Sequence, residues 1–137
     1  MEIKRNDATR NRPEGDRVID APYIFIDIPA YTKQLMDEKA WEKNDRNGIT
    51  VFKSDEITVV VTALQKDAEI IENTVDGFML VQVLSGKVSI ITPDGDVNAG
   101  EKNMIAFHPC IPYSIKAVAD AVLLLTNYTK EKKGVII

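Results

Sequence analysis

Histidine and cysteine are nearly absent from this chain. Its 137 residues include one histidine and one cysteine, which are His108 and Cys110. A single cysteine excludes an internal disulfide and disfavours a thiolate metal cluster, and one histidine cannot build a histidine-rich metal site. We therefore expect no metal and no other cofactor, and we expect Cys110 to be an inert thiol.

The sequence also lacks a long apolar run and an excess of positive charge. No run approaches the roughly 20 apolar residues that span a membrane, and residues 1–7 have no apolar core of a secretory signal. The net charge of −4 argues against nucleic-acid binding, which needs a basic surface. We expect a cytoplasmic protein that binds neither membrane nor nucleic acid.

What is present is a composition typical of one globular domain, with 45% hydrophobic and 28% charged residues. Residues 1–20 are polar, with interleaved acidic and basic side chains, and we expect a poorly ordered arm. Residues 21–137 form the single domain. It begins with a short strand at 23–28 and a helix from Pro29 to about Asn44, in which Trp41 points away from the apolar face.

From residue 49 onward the pattern predicts strands throughout. Short β-branched and apolar segments alternate with turn signals such as Asp94-Gly95. The strand candidates are 58–64, 68–71, 78–84, 87–91, 103–107, 114–118 and 121–126, and a further segment begins at 49. About eight short strands of this kind indicate an all-β barrel or sandwich.

Two of these strands are apolar at nearly every position, namely 78–84 and 122–125. A strand with one face in water alternates, so both faces of these strands should be buried. One face would line the barrel, and the N-terminal strand and helix or a second subunit would cover the other, where Gln82 lies. We therefore predict a homodimer. The apolar ending 135–137 could add a strand or dock on a neighbour.

Four segments together resemble a small single-domain cupin. They are Phe78 to Gly86, the turn at Asp94-Gly95, the stretch 99–101 and the stretch from Phe107 to Ser114. The resemblance covers about residues 49–127. It implies a cupin-type double-stranded β-helix, a jelly-roll barrel of the all-β class, preceded by the short N-terminal strand and helix.

In cupins, two motifs supply three histidines and a glutamate that hold a metal inside the barrel. Placing the closing glycine of the first motif on Gly86 puts its ligand positions on Asn73, Val75 and Met79; a longer spacer would use Glu72 and Thr74. The second motif puts the last ligand position on Tyr113. Valine and methionine offer no hard donor, and an amide and a phenol are weak ligands. The resemblance therefore implies a cupin whose metal-binding motifs are lost.

Two functions remain open for such a barrel. In the first, it is a metal-free binding or structural module, and Asn73, Val75, Met79, His108 and Tyr113 either contact a small organic ligand or fill the interior. In the second, it is a metal-free sugar epimerase or isomerase that uses Tyr113 and His108 at the barrel mouth. Such an enzyme needs a base with an orienting acid, and no carboxylate can be assigned to His108 from the sequence.

Overall fold

The computed structural model describes residues 1–72 and 76–129, which contain eleven strands and two helices. The N-terminal elements are β1 (Lys4–Asn6), β2 (Arg17–Asp20), α1 (Ile28–Asp37), α2 (Lys39–Lys43) and β3 (Arg46–Lys53). The remaining strands are β4 (Ile57–Leu64), β5 (Glu69–Glu72), β6 (Phe78–Ser85), β7 (Lys87–Thr92), β8 (Gly95–Gly100), β9 (Met104–Phe107), β10 (Tyr113–Ala117) and β11 (Ala121–Tyr128). Asn73, Val75 and the ending 135–137, all named in the sequence analysis, lie outside the described residues.

Strands β3 to β11 form two antiparallel sheets that face each other. One sheet has the order β3-β4-β11-β6-β9 and the other has the order β5-β10-β7-β8. Apart from the β7–β8 hairpin, the chain crosses between the two sheets after each strand from β4 onward. The eight strands β4 to β11, connected in this way, make a jelly roll, so the predicted all-β jelly-roll class is confirmed.

The main core lies between the two sheets. Val81 and Val83 of β6 are fully buried there, together with Leu123 of β11 and Ile115 of β10. Because side chains alternate along a strand, the intervening Gln82 points to the outer face of its sheet. Each large aliphatic side chain buried in this way stabilises the fold by about 1.5–3 kcal/mol.

A second apolar cluster covers part of the outer face of the five-stranded sheet. Leu35 of α1 is fully buried against outward side chains of β4 and β11, including Val61 and Val122. The N-terminal helices therefore cover the outer face of β4 and β11. This contact accounts for the absence of alternation at 122–125, because both faces of β11 are buried there.

The predicted helix is divided in two. Asp27 caps α1 by accepting a hydrogen bond from the Ala30 N–H at 3.1 Å, and Pro29 occupies its first turn. The helix stops at Glu38, whose ψ of 148° is extended. Because α2 starts anew after this break, the helical faces of α1 and α2 are not in register. Trp41 consequently packs against the second cluster, and the expectation that it points away is wrong.

Two N-terminal expectations differ from the structure. Residues 1–20 contain a two-stranded antiparallel sheet of β1 and β2, where a poorly ordered arm was expected. Long-range hydrogen bonds hold this sheet to the domain, as described below. Residues 23–27 belong to no helix or strand, and the chain enters α1 at Ile28, so the predicted strand at 23–28 does not form.

Candidate functional site

Two aromatic side chains and one methionine lie together inside the barrel near one of its ends. The rings of Phe107 and Tyr113 stack with centroids 4.3 Å apart and planes 8° from parallel. Both residues are buried, at 7% and 6% exposure. Met79 lies across the β6–β9 pair from Phe107 and packs against the same core cluster. The position that the cupin resemblance assigns to a metal histidine is therefore occupied by a buried, stacked tyrosine.

The strand register brings β5 close to this stack. Tyr113 begins β10 and is the pairing partner of Glu72, the last residue of β5. Asn73 and Val75 follow directly in the sequence but lie outside the described residues. Of the five predicted ligand-binding residues, the structure thus brings Met79 and Tyr113 into one cluster.

His108 lies on the other side of the sheet from that cluster. It is exposed, and its ring centroid is 5.0 Å from that of Phe78. Phe78 points outward because its neighbour Met79 packs inward. The predicted pair of His108 and Tyr113 is consequently separated by the sheet, with one ring outside the barrel and the other inside.

The described residues do not fit the metal that the cupin resemblance implies. Met79 has only a thioether, and the Tyr113 ring is buried in its stack with Phe107. Within residues 1–72 and 76–129, no group of three or more His, Cys, Asp or Glu side chains could hold a metal ion. Cys110 is an exposed free thiol in a positive-φ turn with φ of 66°.

A polar cluster that the sequence analysis missed attaches the N-terminal sheet to the domain. Arg12 forms a bidentate ion pair with Glu38 at 2.9–3.1 Å, and its Nη2 also donates to Asn47 and to the Gly48 carbonyl. The Glu38 side chain is only 9% exposed. Burial would raise the pKa of Glu38, but hydrogen bonds from Arg12, Asn47 and Gln34 and the charge of Arg12 lower it below its usual value.

Arg17 lies beside this ion pair in a cleft of about 570 Å³ between the N-terminal sheet and the start of α2. Its Nε donates to the Thr50 carbonyl at 2.8 Å and its Nη1 donates to the Gly15 carbonyl at 2.7 Å. Burial lowers the pKa of the Arg17 guanidinium. Both arginines thus bind carbonyl and carboxylate acceptors of the protein itself, which is the arrangement of a structural attachment.

An apolar patch remains on the outer face of the five-stranded sheet beyond the helices. We call Phe78, Leu80, Met104 and Tyr128 the outer patch; they are 41%, 37%, 56% and 39% exposed. The ring centroids of Phe78 and Tyr128 are 6.4 Å apart. Their neighbours Gln82 and Ala106 on this face are uncharged. Low charge density of this kind is typical of the centre of a protein interface.

No protein-family model and no curated protein sequence matches this chain. Solved structures do match it. A cupin superfamily protein from Desulfitobacterium hafniense superposes with a TM-score of 0.61 at 14% identity, over 64% of this chain and 80% of that protein. An RmlC-like cupin from Desulfovibrio desulfuricans gives a TM-score of 0.59 at 18% identity, over 69% and 92%. The chain therefore has the cupin jelly-roll fold, as the sequence resemblance implied.

A third structure matches over nearly the whole chain. It is a conserved protein of unknown function from Streptococcus pyogenes, with a TM-score of 0.66 at 21% identity, over 93% of this chain and 98% of that protein. A match of this extent includes most of the N-terminal segment as well as the barrel. Across residues 1–72 and 76–129, the helices are too short or too polar to cross a membrane.

Proposed function

We propose that this protein is a metal-free cupin that acts as a small-molecule-binding or structural module. The observation that carries the proposal is the buried stack of Phe107 and Tyr113 beside Met79. Met79 and Tyr113 hold two of the positions that the cupin resemblance assigns to metal ligands, and their packing with Phe107 is a role that needs no metal. A small organic ligand would meet an apolar and aromatic surface here, with the Tyr113 hydroxyl as a polar group.

The alternative, a metal-free sugar epimerase or isomerase, has less support. It needs His108 and Tyr113 to reach one substrate as base and acid, within about 3 Å of the reacting atoms. His108 contacts Phe78 on the outer face, whereas Tyr113 is stacked on Phe107 inside. A substrate on one side of the sheet therefore cannot touch both rings in this conformation.

We also propose that the protein is a homodimer in the cytoplasm. The outer patch on β6 and β9 supports the dimer, because α1 and α2 do not cover these apolar side chains. The exposed thiol of Cys110 suits a reducing compartment. Sedimentation of the purified protein and cell fractionation test the two statements separately.

Metal analysis tests the central proposal. Protein purified without chelator should contain far less than one Fe, Mn, Ni or Zn per chain by inductively coupled plasma mass spectrometry. Its melting temperature should not change on addition of EDTA. About one transition metal per chain, together with a lower melting temperature in EDTA, would contradict the proposal.

A ligand screen then separates binding from a purely structural role. Sugars, nucleotide sugars and carboxylic acids are added in a thermal-shift assay, where a ligand at 100 times its Kd adds about 2.7 kcal/mol of stability. A shift seen with the wild type and lost in Tyr113→Phe supports a ligand in the barrel. Epimerisation of any sugar in the screen that is lost in His108→Gln would instead favour the enzyme.

A further inference from the structure

The segment 22–26 between β2 and α1 exposes two aromatic side chains to solvent. Tyr23 is 90% exposed and Phe25 is 89% exposed, more than any other large hydrophobic residue in the described part of the chain. Ile24 and Ile26 are partly buried, so the segment alternates as a strand does. Two neighbouring exposed aromatic side chains form a contiguous apolar surface, and contiguous apolar surfaces are typical of binding sites.

The backbone of this segment lacks the partners that a strand normally has. Among the described residues, no hydrogen bond joins the N–H or C=O groups of 22–26 to another residue. The segment is nevertheless held at its C-terminal end, because Ile26 packs into the second apolar cluster beneath α1. The packing of Ile26 therefore anchors the segment, while the Tyr23 and Phe25 side chains are exposed to solvent.

The segment and the outer patch lie on the same side of the molecule. Ile26 packs in the cluster that also contains Leu84 and Leu124, which are on the outer face of β6 and β11. Leu80 of the outer patch is on that face of β6 as well, four residues before Leu84. A second copy related by a twofold axis could thus place its own segment over this patch, while its patch receives the first copy's segment.

We infer that Tyr23 and Phe25 of each copy pack on the outer patch of a second copy of this chain. This inference rests on the homodimer proposed above and assigns its contacts. The exposed surface of the two aromatics and the four patch residues is about 700 Å² per copy, taking roughly 200 Å² for each fully exposed large side chain. Stable interfaces of standard size bury about 800 Å² per partner. These six side chains alone approach that area.

The first test is the mass of the protein in solution at micromolar concentration. By light scattering the wild type should be a dimer, and Tyr23→Ser/Phe25→Ser should be a monomer, with a dissociation constant raised at least about 100-fold. Met104→Glu on the edge strand β9 should dissociate the dimer too. Ile71→Ser is the matched control: it removes a 65% exposed side chain from the other sheet and should leave the dimer intact.

Cross-linking tests which surfaces meet. In a Cys110→Ser background, a chain with Phe25→Cys and a differently tagged chain with Met104→Cys are co-expressed and treated with a short bismaleimide. A product joining the two chains is expected, whereas a chain with Ile71→Cys in place of Met104→Cys should give none. All of the variants change exposed side chains, and circular dichroism checks their fold.

The outcomes separate this inference from the dimer itself. A monomeric wild type would overturn both. A dimer that survives Tyr23→Ser/Phe25→Ser and gives no Phe25–Met104 product would overturn the assignment of these contacts and leave the homodimer in place. Dissociation by the double substitution together with the mixed product would establish the contact.

Discussion

The Arg12 guanidinium and the Glu38 carboxylate meet in a bidentate pair, with Arg12 Nε 3.1 and 3.0 Å from the two oxygens and Nη2 2.9 Å from Oε1. The same Nη2 bonds Asn47 and the Gly48 carbonyl in β3. The Arg12 side chain thus joins the connection between β1 and β2 to two parts of the domain. These are the break between α1 and α2 at Glu38 and the strand β3 at Asn47 and Gly48. Bidentate geometry of this kind combines strength with a fixed orientation.

Glu38→Gln should lower the free energy of unfolding by about 1–3 kcal/mol. The substitution preserves the size of the side chain but leaves the Arg12 guanidinium, only 22% exposed, without its counter-charge. Urea denaturation measures the loss. The control is Asp45→Asn, which removes the carboxylate from the exposed Asp45–Arg46 pair and should cost less than about 1 kcal/mol. Equal losses in the two variants would contradict a special role for Glu38.

The contribution of Glu38 should depend on pH in one direction. Its hydrogen bonds and the charge of Arg12 outweigh burial and lower its pKa in the folded protein. A carboxylate with a lowered folded pKa stabilises the protein fully above its unfolded pKa of about 4.3, and the effect is lost as the pH falls through the folded value. The stability gap between wild type and Glu38→Gln should therefore be constant from pH 6 to 7 and shrink below about pH 4. A gap that widens on acidification would reverse this assignment.

The sequence predicted those parts of the fold that depend on local apolar pattern. Strands β4, β6 and β11 were recognised because runs of β-branched and apolar residues form their buried faces. Strand β8, Gly95–Gly100, was missed: four of its six residues are exposed, so its pattern does not differ from a loop. It is an edge strand, and it forms because it pairs with β7.

The N-terminal sheet was missed for a different physical reason. Its order depends on contacts between residues far apart in the sequence, such as Arg12 with Glu38 and Arg17 with Thr50. A sequence of interleaved acidic and basic residues is the same whether the segment is solvated or forms ion pairs with the domain. At the candidate site, strand parity correctly placed the Met79 side chain inside the barrel. The same alternation puts His108 on the outer side, because it directly follows the inward Phe107; the pairing of His108 with Tyr113 assumed instead that the loop turned both rings inward.

The stack of Phe107 and Tyr113 should be measurable as a coupling energy. In a double-mutant cycle, Phe107→Leu, Tyr113→Leu and the double variant are compared with wild type by denaturant unfolding. Stacked rings with centroids 4.3 Å apart should couple by about 0.5–1.5 kcal/mol. A cycle of the same substitutions at Phe107 and Tyr128, which form no ring contact in the described structure, is the control. A coupling energy near zero between Phe107 and Tyr113 would show that the two rings stabilise the fold through their burial alone.

Gly86, on which the cupin resemblance places the closing glycine of its first motif, should resist substitution more strongly than Gly95. Both have positive φ, +82° and +122°, so alanine is strained at either position. At Gly86 an added Cβ would also overlap the Asp120 carbonyl oxygen and lie 2.7 Å from the Ala121 Cα, whereas at Gly95 it meets nothing within 4 Å. Gly95→Ala should therefore cost about 1–3 kcal/mol of unfolding free energy, and Gly86→Ala should cost about 1–3 kcal/mol more.

Thermal and urea unfolding of the two alanine variants measure that difference directly. Both variants carry the strain of a positive φ, and only Gly86→Ala adds an overlap, so an extra loss at Gly86 reports the close approach of the β6–β7 turn to the start of β11. Equal losses would show that Asp120 and Ala121 move aside at little cost. A larger loss at Gly86 would show that the start of β11 packs so closely against the β6–β7 turn that only glycine fits there.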